Sequence, residues 1–235
     1  MVQSETVERI LDAAQQLFAE RGFTETSLRT ITAKAGVNLA AVNYHFGSKE
    51  ALIQAVFVRF LGPFCQRVEQ ELDRRQGAPA TLEELLELLV EQALGVARNG
   101  SDLTVFMRLF GMAVHQNQRH LRSYLGGLYG KVWRRYLQLL HEAVPGIPPL
   151  ELFLRVRFML GAATFSMSGV QALRDIIEAD FGVDLLPEQV LRLLEPFLAA
   201  GMRADSGLTD AALIAARPRA NGKASHNGKA NHGGK

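Results

Sequence analysis

Residues 26–49, Thr26-Ser-Leu-Arg-Thr-Ile-Thr-Ala-Lys-Ala-Gly-Val-Asn-Leu-Ala-Ala-Val-Asn-Tyr-His-Phe-Gly-Ser-Lys49, constrain the chain most, because they read as two short helices joined by a tight turn. Ser27 suits an N-cap, after which Leu28, Ile31 and Ala35 share one helical face. Gly36 stands where a left-handed residue ends a helix, Val37 can tuck inward, and Asn38 can cap a second helix running to about Phe46. This is a helix-turn-helix signature. Val42 and Phe46, four apart, would pack inward and leave Leu39, Ala40, Asn43 and Tyr44 on the sides and outer face. Small Ala40 and Ala41 let such a helix approach base edges closely, and an Asn amide both donates to and accepts from adenine in the major groove. Tyr44, His45 and Lys49 can serve phosphates. An ordinary amphipathic helix pair, with Tyr44 and His45 half-buried in packing, would leave the same pattern.

The stretch resembles the DNA-binding region of the TetR family of bacterial transcriptional regulators. The resemblance covers the first 60 or so residues through Phe18-Ala-Glu-Arg-Gly-Phe23, Thr26-Ser27, Ala35-Gly36-Val37, Tyr44-His45-Phe46 and Ser48-Lys49-Glu50-Ala51-Leu52. It implies Ser27 near a phosphate, Arg29 close to the groove, Leu39, Ala40, Ala41 and Asn43 facing bases, and His45 and Lys49 on the DNA backbone. There is one departure: the family often has tyrosine at the position of Asn43, whereas here the tyrosine is Tyr44, about 100° further round the helix. Asn38-Leu-Ala-Ala-Val-Asn-Tyr-His-Phe46 and Phe158-Met-Leu-Gly-Ala-Ala-Thr-Phe-Ser-Met-Ser-Gly169 are similar, more narrowly, to the PsrA-type, fatty-acid-responsive repressors of that family.

The remainder reads as helices, so the fold class is all-α, with about nine helices and no useful strand-like alternation. A helix from Ser4 to Arg21 is stopped by Gly22; Ser48 caps a long one that should bend at Gly62-Pro63 and end near Arg75. Thr81-Leu-Glu-Glu84 is a capping box for a helix to about Arg98, which Asn99-Gly-Ser101 closes. Helices follow over about 102–115, 118–142, 150–181 and 187–202, with Gly126, Gly127 and Gly130 weakening the second of these and Pro196 placed to kink the last. The expected organisation is a helix-turn-helix DNA-binding domain over 1–48, a larger helical ligand-binding and dimerisation domain over 49–216, and a disordered basic tail over 217–235. With 48% hydrophobic residues among 235, the chain has core enough for this.

Charge alone does not find the reading site. Of the 26 basic side chains behind the net charge of +2, five lie in the tail with no acid beside them, so the rest of the chain is net acidic. Residues 22–60 carry a modest local excess, Arg29, Lys34, Lys49 and Arg59 against Glu25 and Glu50.

No phosphate loop, nucleophile elbow, paired cysteine motif or Glu-x-x-His set is present, so an enzyme is not expected, nor a metal or cofactor. A single Cys65 fits a reducing cytoplasm, and acids at Glu5, Glu8 and Asp12 argue against a signal peptide. No stretch has the length of a membrane span; the protein is expected to be cytoplasmic. Phe60, Phe64, Phe106, Phe110, Trp133, Met159 and Phe165 are candidate pocket residues, though core packing explains any one of them. It is the resemblance that implies a ligand there, a long-chain fatty acid or acyl-CoA, whose carboxylate could meet Arg108, Arg119, Arg134 or Arg135. Gly161, Ser168, Leu191, Leu194, Phe197 and Leu198 are candidates for a homodimer interface in a four-helix bundle, with burial in the same chain as the other reading. The expected function is a DNA-binding repressor released from a palindromic double-stranded operator by an apolar effector. An apolar-ligand carrier, or a helical interaction module whose helix pair is only structural, are the alternatives.

Overall fold

The computed structural model describes residues 2–97, 101–116 and 118–206. Its described residues form ten helices and no strand: α1 (Val2–Glu25), α2 (Leu28–Ala35), α3 (Leu39–Phe46), α4 (Lys49–Arg74), α5 (Leu82–Val96), α6 (Ser101–His115), α7 (Arg119–Ala143), α8 (Pro149–Ser168), α9 (Val170–Phe181) and α10 (Pro187–Arg203). The expected basic tail over 217–235 lies outside the described residues.

Local chemistry sets most of the boundaries. Ser27, Asn38 and Ser48 each accept the backbone N–H three residues on, at 3.1, 2.9 and 3.0 Å, and start α2, α3 and α4. Thr81 and Glu84 make the reciprocal capping box of α5. Gly22, at φ 83°, interrupts α1 three residues before its end. The single long helix expected over 150–181 is two, because the chain leaves helical geometry at Gly169 (φ −109°, ψ 17°) and restarts as α9. α4 is one helix through Gly62-Pro63, where the sequence predicts a bend. Pro63 lies on its exposed side, and water there can serve the carbonyl that proline leaves without a donor.

α1 packs on α2, α4 and α6; α4 packs on α5 and α7; α8 packs on α6 and α10. One apolar core runs through all of these, from Ile10 to Met202. Within it the aromatic rings form a continuous chain. Phe18 meets Phe23 at 5.3 Å, Phe23 meets Phe57 at 6.2 Å, and Phe57 meets Phe106 at 5.9 Å. Phe106 stacks on Phe60 at 4.2 Å, and the series continues through Phe64 to Trp133 and Tyr136. The helix-turn-helix unit is thus packed into the larger body through α1 and α4.

A buried ion pair pins the end of α10. Arg155, 8% exposed on α8, is bonded to Glu151 and donates to the carbonyls of Gly201, Met202 and Asp205 at 3.2, 2.8 and 3.0 Å. A cation on the last carbonyls of a helix satisfies them and complements the helix dipole.

Candidate nucleic-acid interface

The turn between α2 and α3 is built from both sides. Gly36 takes φ 64° and ψ 38°, its N–H reaches the Ala33 carbonyl at 3.4 Å, and the Val37 N–H reaches Thr32 at 3.0 Å. From α1, Arg9 reaches across to donate to the carbonyls of Ala35 and Gly36 at 2.5 and 3.1 Å. A Cβ on Gly36 would lie 2.7 Å from the Arg9 guanidinium. Gly36→Ala therefore meets two penalties, the left-handed backbone and the displaced arginine. The expected loss is about 1–2 kcal/mol from the backbone alone, read as a lower denaturant midpoint at unchanged slope. A loss below about 0.5 kcal/mol would mean that the turn relaxes freely.

Val42 is fully buried and fixes the rotation of α3. Leu39, Ala40, Asn43 and Tyr44 are exposed as a result, Tyr44 by 75%, while Ala41 and His45 are half-buried. Eight residues make α3 about 12 Å long, close to the width of a B-DNA major groove. Ser27 and Arg29 are exposed at the N-terminal turn of α2. Lys49, in the first turn of α4, donates to the neutral Thr24 carbonyl at 3.3 Å. Beside it Glu50 is held below the usual carboxylate range by its own backbone amide and then by the Ser48 hydroxyl, with His120 and Lys49 adding smaller attraction. All nine candidate DNA residues thus lie on or next to α2, α3 and the start of α4. Sequence reasoning missed Arg9, whose partners are 26 and 27 residues away.

The candidate pocket residues do not all meet. Phe60, Phe64, Phe106 and Trp133 are packed ring against ring, Phe110 adjoins Phe106 at 6.2 Å, and Met159 is buried at 7%. Phe165 is set apart, 84% exposed. It belongs to a different stripe of α8, where Leu154, Phe158, Gly161 and Phe165 recur at spacings of four, three and four and face outward. The candidate dimer residues divide as well. Gly161 and Phe197 are exposed, Ser168, Leu194 and Leu198 are half-buried, and Leu191, 5% exposed, is part of the chain's own core. Among the described residues no three potential ligands gather as a metal site, and no helix is long and apolar enough to cross a membrane. Cys65 is buried, which pushes its thiol up to about 12 and leaves it a packing residue.

Known proteins of the same build exist. Over 85% of this chain and 96% of the other, the fold matches a TetR-like transcriptional regulator from Rhodococcus sp. RHA1, with a TM-score of 0.54 and 22% identity. It also matches the fatty acid degradation regulator of Bacillus halodurans over 84% and 96%, with a TM-score of 0.53 and 20% identity. In sequence the chain is 24% identical over 132 residues to the fatty acid metabolism regulator protein of Bacillus subtilis, covering 56% of this chain and 62% of that protein. It is 38% identical over 81 residues to the transcriptional repressor KstR2 of Rhodococcus jostii, covering 33% and 38%. The chain therefore spans less than two thirds of either relative's length. Residues 10–56 match the model of bacterial regulatory proteins of the tetR family, and residues 87–201 match the tetracyclin repressor-like C-terminal domain. With both its reading unit and most of its helical body so matched, the chain belongs to the TetR family of bacterial transcriptional regulators.

Proposed function

We propose that the protein is a homodimeric repressor that reads a palindromic operator with α3 and is released by an apolar, fatty-acyl effector. The observation that carries the DNA reading is the rotation of α3: Val42 is buried while Leu39, Ala40, Asn43 and Tyr44 are offered to solvent, with Lys49 beside them. A helix this short touches too few bases alone, so two copies must reach successive major grooves, about 34 Å apart. The outward stripe of α8, with Phe158 68% and Phe165 84% exposed, and Phe197 of α10 at 69%, supports the second copy. An exposed apolar face of that extent marks an interaction surface. The names of the Bacillus relatives support a fatty-acid effector. The assignment follows the similarity between this chain and the PsrA-type repressors.

Selection of bound sequences from random duplex DNA tests the reading; recovery of a palindrome supports it, and absence of salt-dependent binding overturns it. On the selected operator the two kinds of contact separate. Lys49→Ala is expected to weaken binding to all sequences and to lower the salt slope by about one, whereas Asn43→Ala relaxes choice at one base pair at a cost of about 1–3 kcal/mol. Equal shifts in sequence preference from both would remove this division of roles. Titration of long-chain fatty acids and acyl-CoA against the labelled operator tests release, for which linkage sets a coupling of about 1–3 kcal/mol, or roughly 5- to 150-fold.

A further inference from the structure

A cleft of about 380 Å³ opens between α1, α4, the end of α5 and α6. That volume is within the range of sites for small organic ligands. Val56, Phe60, Pro63, Val96, Phe106 and Leu109 give it an apolar wall, and polar surface makes up the other half of its lining. Val56, Phe60, Pro63 and Arg67 recur at spacings of three and four, so one face of α4 supplies a whole wall.

Two arginines and one carboxylate line the same cleft, and their charges do not cancel. Arg59 is taken: it pairs with Glu8 at 2.9 Å and with Asp12, the lining carboxylate, at 2.6 Å. Arg67 is exposed, and its Nε donates to the neutral Gln92 Oε1 at 3.0 Å, which leaves the outer edge of the guanidinium for another acceptor. Gly95 of α5 makes room for it. A Cβ there would lie 2.5 Å from Arg67 Nη2 and 2.9 Å from Cζ, so the guanidinium rests directly on the α5 backbone. Among the described residues no carboxylate pairs with this seated guanidinium, and a guanidinium beside an apolar wall matches a molecule with an apolar body and an anionic end.

The geometry points to Arg67 as the group that holds the carboxylate of a fatty acid whose chain lies in this cleft along α4. The inference rests on the fatty-acyl effector reading and adds where the effector sits and what holds its head. It also supplies a route to the DNA. Asp12 and Gln15 of α1 form part of the lining, so an acyl chain there packs between α1 and the face of α4 that starts at Lys49. Arg59 spans the same gap through its two ion pairs, and α1 carries the Arg9 clamp on the α2–α3 turn.

The test is calorimetric titration of the full-length protein with dodecanoate and, separately, with its methyl ester. Arg67→Met keeps most of the side chain's apolar stem without the charge; Gly95→Ala keeps the charge but drives the guanidinium off its seat, and as a helix-favouring change it should not harm folding. Expected is about a tenfold or greater loss of dodecanoate affinity in Arg67→Met, a smaller loss in Gly95→Ala, and equally weak binding of the ester to wild type and Arg67→Met. Undiminished dodecanoate affinity in Arg67→Met, or no dodecanoate binding by the wild type, would overturn the assignment. Operator release by the same ligand, measured on the wild type, is a separate readout: release without dependence on Arg67 leaves the effector reading standing and removes this site. Binding that depends on Arg67 without release does the reverse.

Discussion

Phe57→Ala is expected to destabilise the protein by about 3–5 kcal/mol, a truncation cost typical of a buried aromatic ring. The ring is 1% exposed and stands between Phe23 and Phe106, at 6.2 and 5.9 Å, where the helix-turn-helix unit joins the larger body. Removing it leaves a void where α1, α4 and α6 share a core, and neighbouring helices anchored elsewhere can collapse into it only in part. Thermal unfolding should shift down by roughly 6–20 °C at this chain length. A second effect should accompany the first, because the proposed coupling of effector to DNA passes through the same junction. Phe57→Leu, which fills most of the space, should fold with a smaller loss yet show a weaker effect of ligand on operator binding. A destabilisation of Phe57→Ala under about 1 kcal/mol would mean that the ring does not tie the two parts together.

The double change Phe158→Asp, Phe165→Asp is expected to produce a folded monomer of 25.9 kDa with at least about a hundredfold weaker operator binding. Both rings are on the outer stripe of α8, 68% and 84% exposed, so their replacement removes almost nothing from the chain's own core. Exposed substitutions of this kind usually change the stability of the single chain by no more than about 0.5 kcal/mol. In the proposed dimer the same positions would bring two carboxylates per protomer into an apolar contact, at the cost of their desolvation. Sedimentation separates the outcomes. A dimer that persists unchanged at micromolar concentration places the interface on another face, whereas loss of helix content would mean that the stripe serves the single chain.

The all-α class, most helix boundaries and the helix-turn-helix were decided within a few residues of chain. Ser27, Asn38, Ser48 and Thr81 cap helices through bonds to the third residue beyond, and Gly36 turns the backbone by a conformation that side chains resist. Such bonds close over so short a span that residue type and spacing suffice to foresee them. The exposed face of α3 was legible for the same reason, since burying Val42 leaves only one rotation for an eight-residue helix. Arg9 on the Ala35 and Gly36 carbonyls, Arg59 on Glu8 and Asp12, and Arg155 on the end of α10 were not, because each joins residues that only folding brings together. The apolar stripes of α8 and α10 mark the deeper limit. Met159 and Phe165, or Leu191 and Phe197, are equally hydrophobic, and helical spacing allows each a place in one stripe or another. Which stripe meets the chain's own helices and which faces solvent depends on the way α8 and α10 pack against α6 and α5, and that packing exists only in the assembled core.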